Sequence, residues 1–144
     1  MRVAIIGQGY VGSALGIAAS KAGHEVVGIE IDPARVSLLS SSAGYAVSSD
    51  YSLASGCEVV VIAVPTPLND KREPDLSFLE SACKSLAGVL SESVLVVNES
   101  TSFPGTLRNV ITPILGDKYL YAAAPERVDP ANEKWGIENT PRLI

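Results

Sequence analysis

Three glycines near the start of the chain, Gly7, Gly9 and Gly12 in GQGYVG, have the spacing of a loop that cradles a pyrophosphate. Gly7 permits a tight turn. Gly9 leaves room for backbone N–H groups to reach phosphate oxygens, and Gly12 lets the next helix lie close to the preceding strand. Gln8, Tyr10 and Val11 occupy the positions between and beside them. Glu30 follows roughly 20 residues later, where a carboxylate accepts the hydroxyls of a ribose. Stripped of Glu30 and the flanking elements, the same glycines would read as a helix cap after a buried strand. With them, the chemistry is dinucleotide binding.

Those residues need a strand before and a helix after. Val3, Ala4, Ile5 and Ile6 form an apolar run suited to a parallel strand covered on both faces. Beyond it the chain alternates strand and helix with short joints. Strands are predicted over Arg2–Ile6, Glu25–Ile29, Tyr45–Ser48, Glu58–Ala63, Ser93–Asn98 and Tyr119–Ala123. Helices are predicted over Tyr10–Ala22, Pro33–Ser40, Leu76–Leu90 and Pro104–Leu115. Gly23 suits a helix stop, and Pro33 and Pro104 suit first helical positions. Asp75 suits the cap of the third helix, with Ser77 and Glu80 as an alternative capping box. Leu76, Leu79, Cys83, Leu86 and Leu90 fall on one stripe of that helix. Ser40–Gly56 is expected to hold a short edge strand and little else, and the tail from Arg127 shows no clear period before ending on Leu143-Ile144. The expected fold is α/β: a Rossmann-like doubly wound parallel sheet of about six strands in three layers, ordered 3-2-1-4-5-6.

Ligands of such sheets sit outside the carboxyl ends of the strands. Three polar, proline-shaped loops are predicted there: Val64-Pro65-Thr66-Pro67, Glu99–Gly105 and Pro125-Glu126-Arg127. They are candidates for a site floor, or else ordinary strand-to-helix joints in which Ser, Thr and Pro cap helices.

Composition narrows the class. A chain of 144 residues is expected to form one domain. A formal net charge of −5 gives no basic footprint for nucleic acid. No apolar run reaches membrane-spanning length, and because Met1-Arg2 leads directly into the first predicted strand no signal peptide is expected. Two cysteines, Cys57 and Cys83, do not make a disulfide framework, so a cytoplasmic setting is expected, with both thiols buried and free. His24 reads as a turn residue, and no His/Cys/Asp/Glu cluster has metal-site spacing, so no metal is expected.

The runs VIAVPTPLNDKREPDLS, ESTSFPGT and APERVDPAN, together with the glycine loop, resemble the UDP-glucose/GDP-mannose dehydrogenase family of nucleotide-sugar 6-dehydrogenases. The resemblance covers nearly the whole chain but only the family's N-terminal NAD-binding domain. It implies oxidation of a sugar C6 hydroxyl to a carboxylate with two NAD⁺, through a cysteine thiohemiacetal and thioester. That cysteine, with a lysine and an asparagine, would lie in later domains, so residues 1–144 are expected to be a truncated Rossmann domain, inactive alone. A homo-oligomer is expected of the longer protein.

Residue by residue, the resemblance assigns Gly7, Gln8, Gly9, Tyr10, Val11 and Gly12 to the dinucleotide loop. It assigns Glu30 to the adenosine ribose, Arg35 to the adenosine phosphate, and Thr66 to the nicotinamide half, with Val64 and Pro65 of the same loop also cofactor-binding. Thr101, beside the cofactor, and Glu126 match the threonine and glutamate that position water for thioester hydrolysis. A hydroxyl and a carboxylate can hold one water between them, and the carboxylate can take its proton. REPDLS at Arg72–Ser77, EST at Glu99–Thr101 and PERVDPAN at Pro125–Asn132 are similar to members acting on UDP-N-acetylmannosamine or UDP-N-acetylglucosamine. UDP-glucose or GDP-mannose, or a stand-alone dinucleotide-binding module without catalysis, are the alternatives. The segment from Arg35 to Asp50 is shorter than the family's usual one.

Overall fold

The computed structural model describes residues 1–127 and 134–141. The stretch 128–133 in the PERVDPAN run and the final Leu143-Ile144 lie outside the described residues. Six strands form one parallel sheet: β1 (Arg2–Ile6), β2 (Glu25–Ile29), β3 (Ala46–Ser48), β4 (Val59–Ile62), β5 (Leu95–Asn98) and β6 (Leu120–Ala123). Their order is β3-β2-β1-β4-β5-β6, as the alternation of elements implies. The helices are α1 (Tyr10–Lys21), α2 (Pro33–Ser42), α3 (Ser77–Leu86) and α4 (Thr112–Leu115).

Register places the site. Ile6 is level with Ile29 on one side and Ile62 on the other, and Ile62 is level with Asn98. Gly7, Glu30, Ala63 and Glu99 therefore leave the sheet together at its carboxyl edge. The sheet is covered on both faces, which makes three layers. One face packs Ile6, Ile62 and Val96 against Leu79, Leu86 and Ile111, and the other packs Ile5 and Val61 against Leu15 and Ala19. Each fully buried aliphatic side chain contributes roughly 1.5–3 kcal/mol.

Several boundaries differ from the sequence reading for identifiable reasons. The third helix ends at Leu86 rather than Leu90, because Gly88 takes φ +80° and breaks the helical path. Its N-cap is Leu76, without a side-chain cap, rather than Asp75; Asp75 lies one residue earlier and its carboxylate accepts from the Ser77 N–H at 2.9 Å, while Glu80 reaches forward to Lys84. Pro104 is not a first helical residue. Gly105 takes φ +92°, so the chain turns before the helix, which begins as a π-turn over Leu107–Ile111 and tightens into α4. Pro113, one turn later, lacks an N–H and would crowd the carbonyl four residues back, a crowding that wider π geometry relieves. The Ser40–Gly56 stretch holds more than an edge strand. α2 runs to Ser42, and a 3-10 turn over Tyr51–Ala54 is capped by Asp50, whose carboxylate accepts from the Ser52 N–H at 2.8 Å. Gly23 ends α1 as expected, with φ +86° and the His24 N–H reaching back to Ala19.

Candidate functional site

The glycine loop turns at Gly7, whose φ of +87° is the left-handed region that favours glycine. A Cβ on Gly12 would press against the Gly7 carbonyl and lie 3.0 Å from its carbon, so α1 crosses β1 at a distance only glycine allows. A Cβ on Gly9 would meet nothing within 4 Å. It would project into open space at the start of α1, where Gly9 is the N-cap without a side-chain cap. The first-turn N–H groups of α1 are thus available to an anion.

Beside this loop lies a cleft of about 320 Å³. Gly7, Gly9, Glu30, Arg35, Val64 and Pro65 line one side. Tyr51, Phe78, Ser81 and Ser85 line the other. Glu30 is 9% exposed, and its carboxylate accepts from the Gln8 N–H at 2.9 Å and the Asp32 N–H at 3.0 Å. Those bonds aim it from the end of β2 toward the loop. The exposed Arg35, on α2, donates its Nε–H to the Gln8 carbonyl at 2.6 Å. Gln8 itself is fully buried and does not line the cleft; its backbone N–H and carbonyl are taken up by Glu30 and Arg35.

A second hollow, of about 230 Å³, shares the wall Ala63-Val64-Pro65 and gathers Val11, Thr66, Thr101 and Glu126 with Glu99. Two hydroxyls fix its shape. The Ser100 hydroxyl, 6% exposed as a residue, accepts from the Val64 N–H at 3.0 Å and donates to the Val64 carbonyl at 2.9 Å. Thr66 donates to the Thr101 carbonyl at 2.5 Å. The Asn98 amide braces the same loop through the Ser100 carbonyl at 3.2 Å and the Ser102 hydroxyl at 3.1 Å. The Glu126 N–H donates to the Glu99 carbonyl at 3.3 Å.

Most of the predicted residues therefore divide between two hollows that share the Ala63-Val64-Pro65 wall, while Gln8, Tyr10 and Gly12 line neither. The shared wall lies where the sheet order reverses between β1 and β4, the switch point at which doubly wound sheets take ligands. Tyr10 stands on the exposed outer side of the first turn. The sequence reading missed Tyr51, Phe78 and Ser81, and it placed Glu99 and Ser100 in a site-floor loop without giving either a role of its own. Phe78 had a signal: an aromatic off the Leu79–Cys83–Leu86 stripe, left 44% exposed. Cys57 and Cys83 are buried and free. Burial pushes the Cys83 thiol up to about 12, and raises that of Cys57, which makes both poor nucleophiles. Among the described residues no group of three or more His, Cys, Asp or Glu is placed to hold a metal, and no helix is long and apolar enough to cross a membrane.

The fit to a dinucleotide rests on the open space in front of Gly9 and on the buried Glu30 carboxylate beside it. Comparison with known proteins agrees. The model of the UDP-glucose/GDP-mannose dehydrogenase family, NAD binding domain, matches residues 1–47 and 40–144. The chain is 28% identical to the UDP-N-acetyl-D-glucosamine 6-dehydrogenase of Salmonella typhi, covering 99% of this chain and 39% of that protein. It is 32% identical to the UDP-N-acetyl-D-mannosamine dehydrogenase of Pyrococcus horikoshii, over 90% of this chain and 37% of that protein. The crystal structure of a ternary complex of GDP-mannose dehydrogenase from Pseudomonas aeruginosa superposes with a TM-score of 0.84 at 25% identity, over 90% of this chain and 37% of that one. The chain spans less than two fifths of the length of these relatives. From the glycine loop to the β6 edge, it belongs to the UDP-glucose/GDP-mannose dehydrogenase family, as its NAD-binding domain.

Proposed function

We propose that this domain serves a nucleotide-sugar 6-dehydrogenase that oxidises the C6 hydroxyl of a UDP-N-acetylhexosamine, UDP-N-acetylmannosamine or UDP-N-acetylglucosamine, to a carboxylate. The observation that carries the reading is a shared wall: Ala63-Val64-Pro65 lines both the glycine-loop cleft and the hollow where Thr101 and Glu126 stand. The relatives named for UDP-N-acetylhexosamines support the substrate class. NAD bound here supplies the hydride acceptor. The first-turn N–H groups of α1 hold its pyrophosphate, Glu30 its adenosine ribose, and Arg35 lies beside the adenosine phosphate. Val64, Pro65 and Thr66 form the bed of the nicotinamide half. Thr101 and Glu126 hold a water, and the Glu126 carboxylate takes its proton as the water attacks the acyl group of a cysteine thioester. Neither Cys57 nor Cys83 can supply that thioester, because each is buried and lines neither hollow. The domain alone therefore performs no turnover.

The test joins residues 1–144 to the remainder of the P. horikoshii relative. With UDP-N-acetylmannosamine the chimera should reduce NAD. Its Glu126→Gln form should accumulate a covalent sugar adduct, seen by intact-protein mass spectrometry. A folded, NAD-binding chimera that turns over equally well with Gln at position 126 would refute the role of Glu126.

A further inference from the structure

Gln8 is buried completely, yet every polar group it has is engaged by a different element. Its N–H donates to the Glu30 carboxylate at 2.9 Å, and its carbonyl accepts from Arg35 at 2.6 Å. Its side-chain Nε2–H donates to the Ile5 carbonyl at 2.9 Å, and its Oε1 accepts from the Tyr45 hydroxyl at 2.6 Å. Glycines make this possible. A Cβ on Gly28 of β2 would lie 2.6 Å from the Gln8 side-chain carbonyl carbon, and a Cβ on Gly16 of α1 would collide with the Tyr45 ring. Tyr45 stands where the two matched parts of the family model overlap, at 40–47. The alignment to the S. typhi relative extends over 166 positions for a chain of 144, so that relative carries residues this chain lacks. The short path from α2 to β3 sets Tyr45 over α1, within reach of Gln8.

We infer that the Gln8–Tyr45 hydrogen bond is a positioning device for the cofactor: it locks the glycine loop so that Glu30 and Arg35, both tied to the Gln8 backbone, meet the adenosine half of NAD in fixed places. This rests on the reading of the cleft as the NAD site. Without the Tyr45 hydroxyl, Oε1 of a fully buried amide has no donor. A buried acceptor in that state is costly, so the amide turns away and the loop backbone shifts with it. The two residues that touch cofactor are then displaced without themselves being changed. Tyr45 and Gln8 are positioning residues and touch no ligand.

Tyr45→Phe keeps the ring over Gly16 and removes only the hydroxyl. Gln8→Met keeps an unbranched chain over Gly28 and removes only the polar atoms. NAD affinity is measured by calorimetry on the isolated 144-residue chain, far below every variant's melting temperature, so that all are folded. Each single change should raise the Kd for NAD about 2- to 12-fold, a range set by the net strength of one buried hydrogen bond. The double variant should be no weaker than the worse single, because both changes cut the same bond. A role confined to stability would lower the melting temperature and leave Kd of the folded protein unchanged. Wild-type affinity in Tyr45→Phe, or additive losses in the double variant, would overturn the inference while leaving the NAD site intact. A wild-type chain that binds no NAD would overturn the cofactor reading and, with it, this inference.

Discussion

Gly9 and Gly12 stand three residues apart in one motif, yet the structure separates what they do. At Gly9 an added Cβ meets nothing within 4 Å, so Gly9→Val strikes no protein atom with its first carbon. Its folding cost is that of replacing an N-cap glycine by an aliphatic residue, about 1 kcal/mol, or a fall of about 4 °C in melting temperature for a chain this size. The new side chain fills the open space proposed for the pyrophosphate at the first turn of α1, and NAD affinity should fall more than about 100-fold. At Gly12 the Cβ is driven against the Gly7 carbonyl, 3.0 Å from its carbon, with the Ile5 side chain 3.4 Å away. Backbone cannot rotate aside as a side chain can, so in Gly12→Ala helix α1 must lift from β1. Overpacking of this kind costs about 1–3 kcal/mol, which lowers the melting temperature by about 4–12 °C. Thermal melts by circular dichroism and NAD calorimetry on both variants make the comparison. If Gly9→Val melts below Gly12→Ala, or binds NAD as the wild type does, the division of labour argued here is wrong.

Glu30→Ala removes the carboxylate proposed to accept ribose hydroxyls and also releases the Gln8 and Asp32 N–H groups. Charge-assisted bonds are worth about 1.5–3 kcal/mol, so NAD affinity should drop about 10- to 100-fold, and wild-type chain should prefer NAD to NADP; equal affinity for the two in a titration would contradict the assignment. Ser100→Ala strands the Val64 N–H that its hydroxyl serves and should cost about 1–3 kcal/mol in urea unfolding, with no loss expected if the hydroxyl were only a surface group. Burial holds the Cys83 thiol near 12, against an ordinary 9.0. A raised folded value means full stability below pH 9 and progressive loss as pH climbs toward 12. Burial raises the phenols of Tyr45 and Tyr51 above an ordinary 10.0, so they add to the loss in the same sense. Denaturation midpoints taken between about pH 8 and 11 should fall less steeply in Cys83→Ala than in wild type, and identical slopes would show that the thiol does not titrate with unfolding.

The parts of the fold legible in the sequence are those whose signal is local. β1 and β2 have the bounds read from their apolar runs, because a central parallel strand is buried on both faces and cannot tolerate a polar interruption. α3 was legible as a stripe, and its buried residues are Leu79, Ala82, Cys83 and Leu86. Its end was not, since Gly88 stops it two residues past Leu86, whereas Leu90 continues the stripe and is buried from outside the helix. The fourth helix shows a different limit. Pro104 has the right residue type for a helix start, but the positive φ of Gly105 decides the matter, and a glycine's φ is set by the loop it must close.

The site was legible to the extent that residue type alone determines a contact. A carboxylate at the end of the second strand can be found by counting, and Glu30 is where the count puts it. Ser100 could not be found that way. Its part depends on β4 lying beside β5, so that a hydroxyl from one loop meets both backbone groups of Val64 on the other. Tyr45 is the sharper case. In sequence it opens a predicted edge strand in a stretch rich in Ser, Gly and Ala. In the fold it crosses α1 above Gly16 to reach a glutamine that stands 37 residues earlier. The hydrogen bond exists because Gly16 and Gly28 both lack a side chain, on two elements that meet only after the sheet is assembled. The glycines that made the phosphate loop recognisable are confined to six residues. The glycines that hold it in place are spread over two helical and strand segments, and only packing connects them.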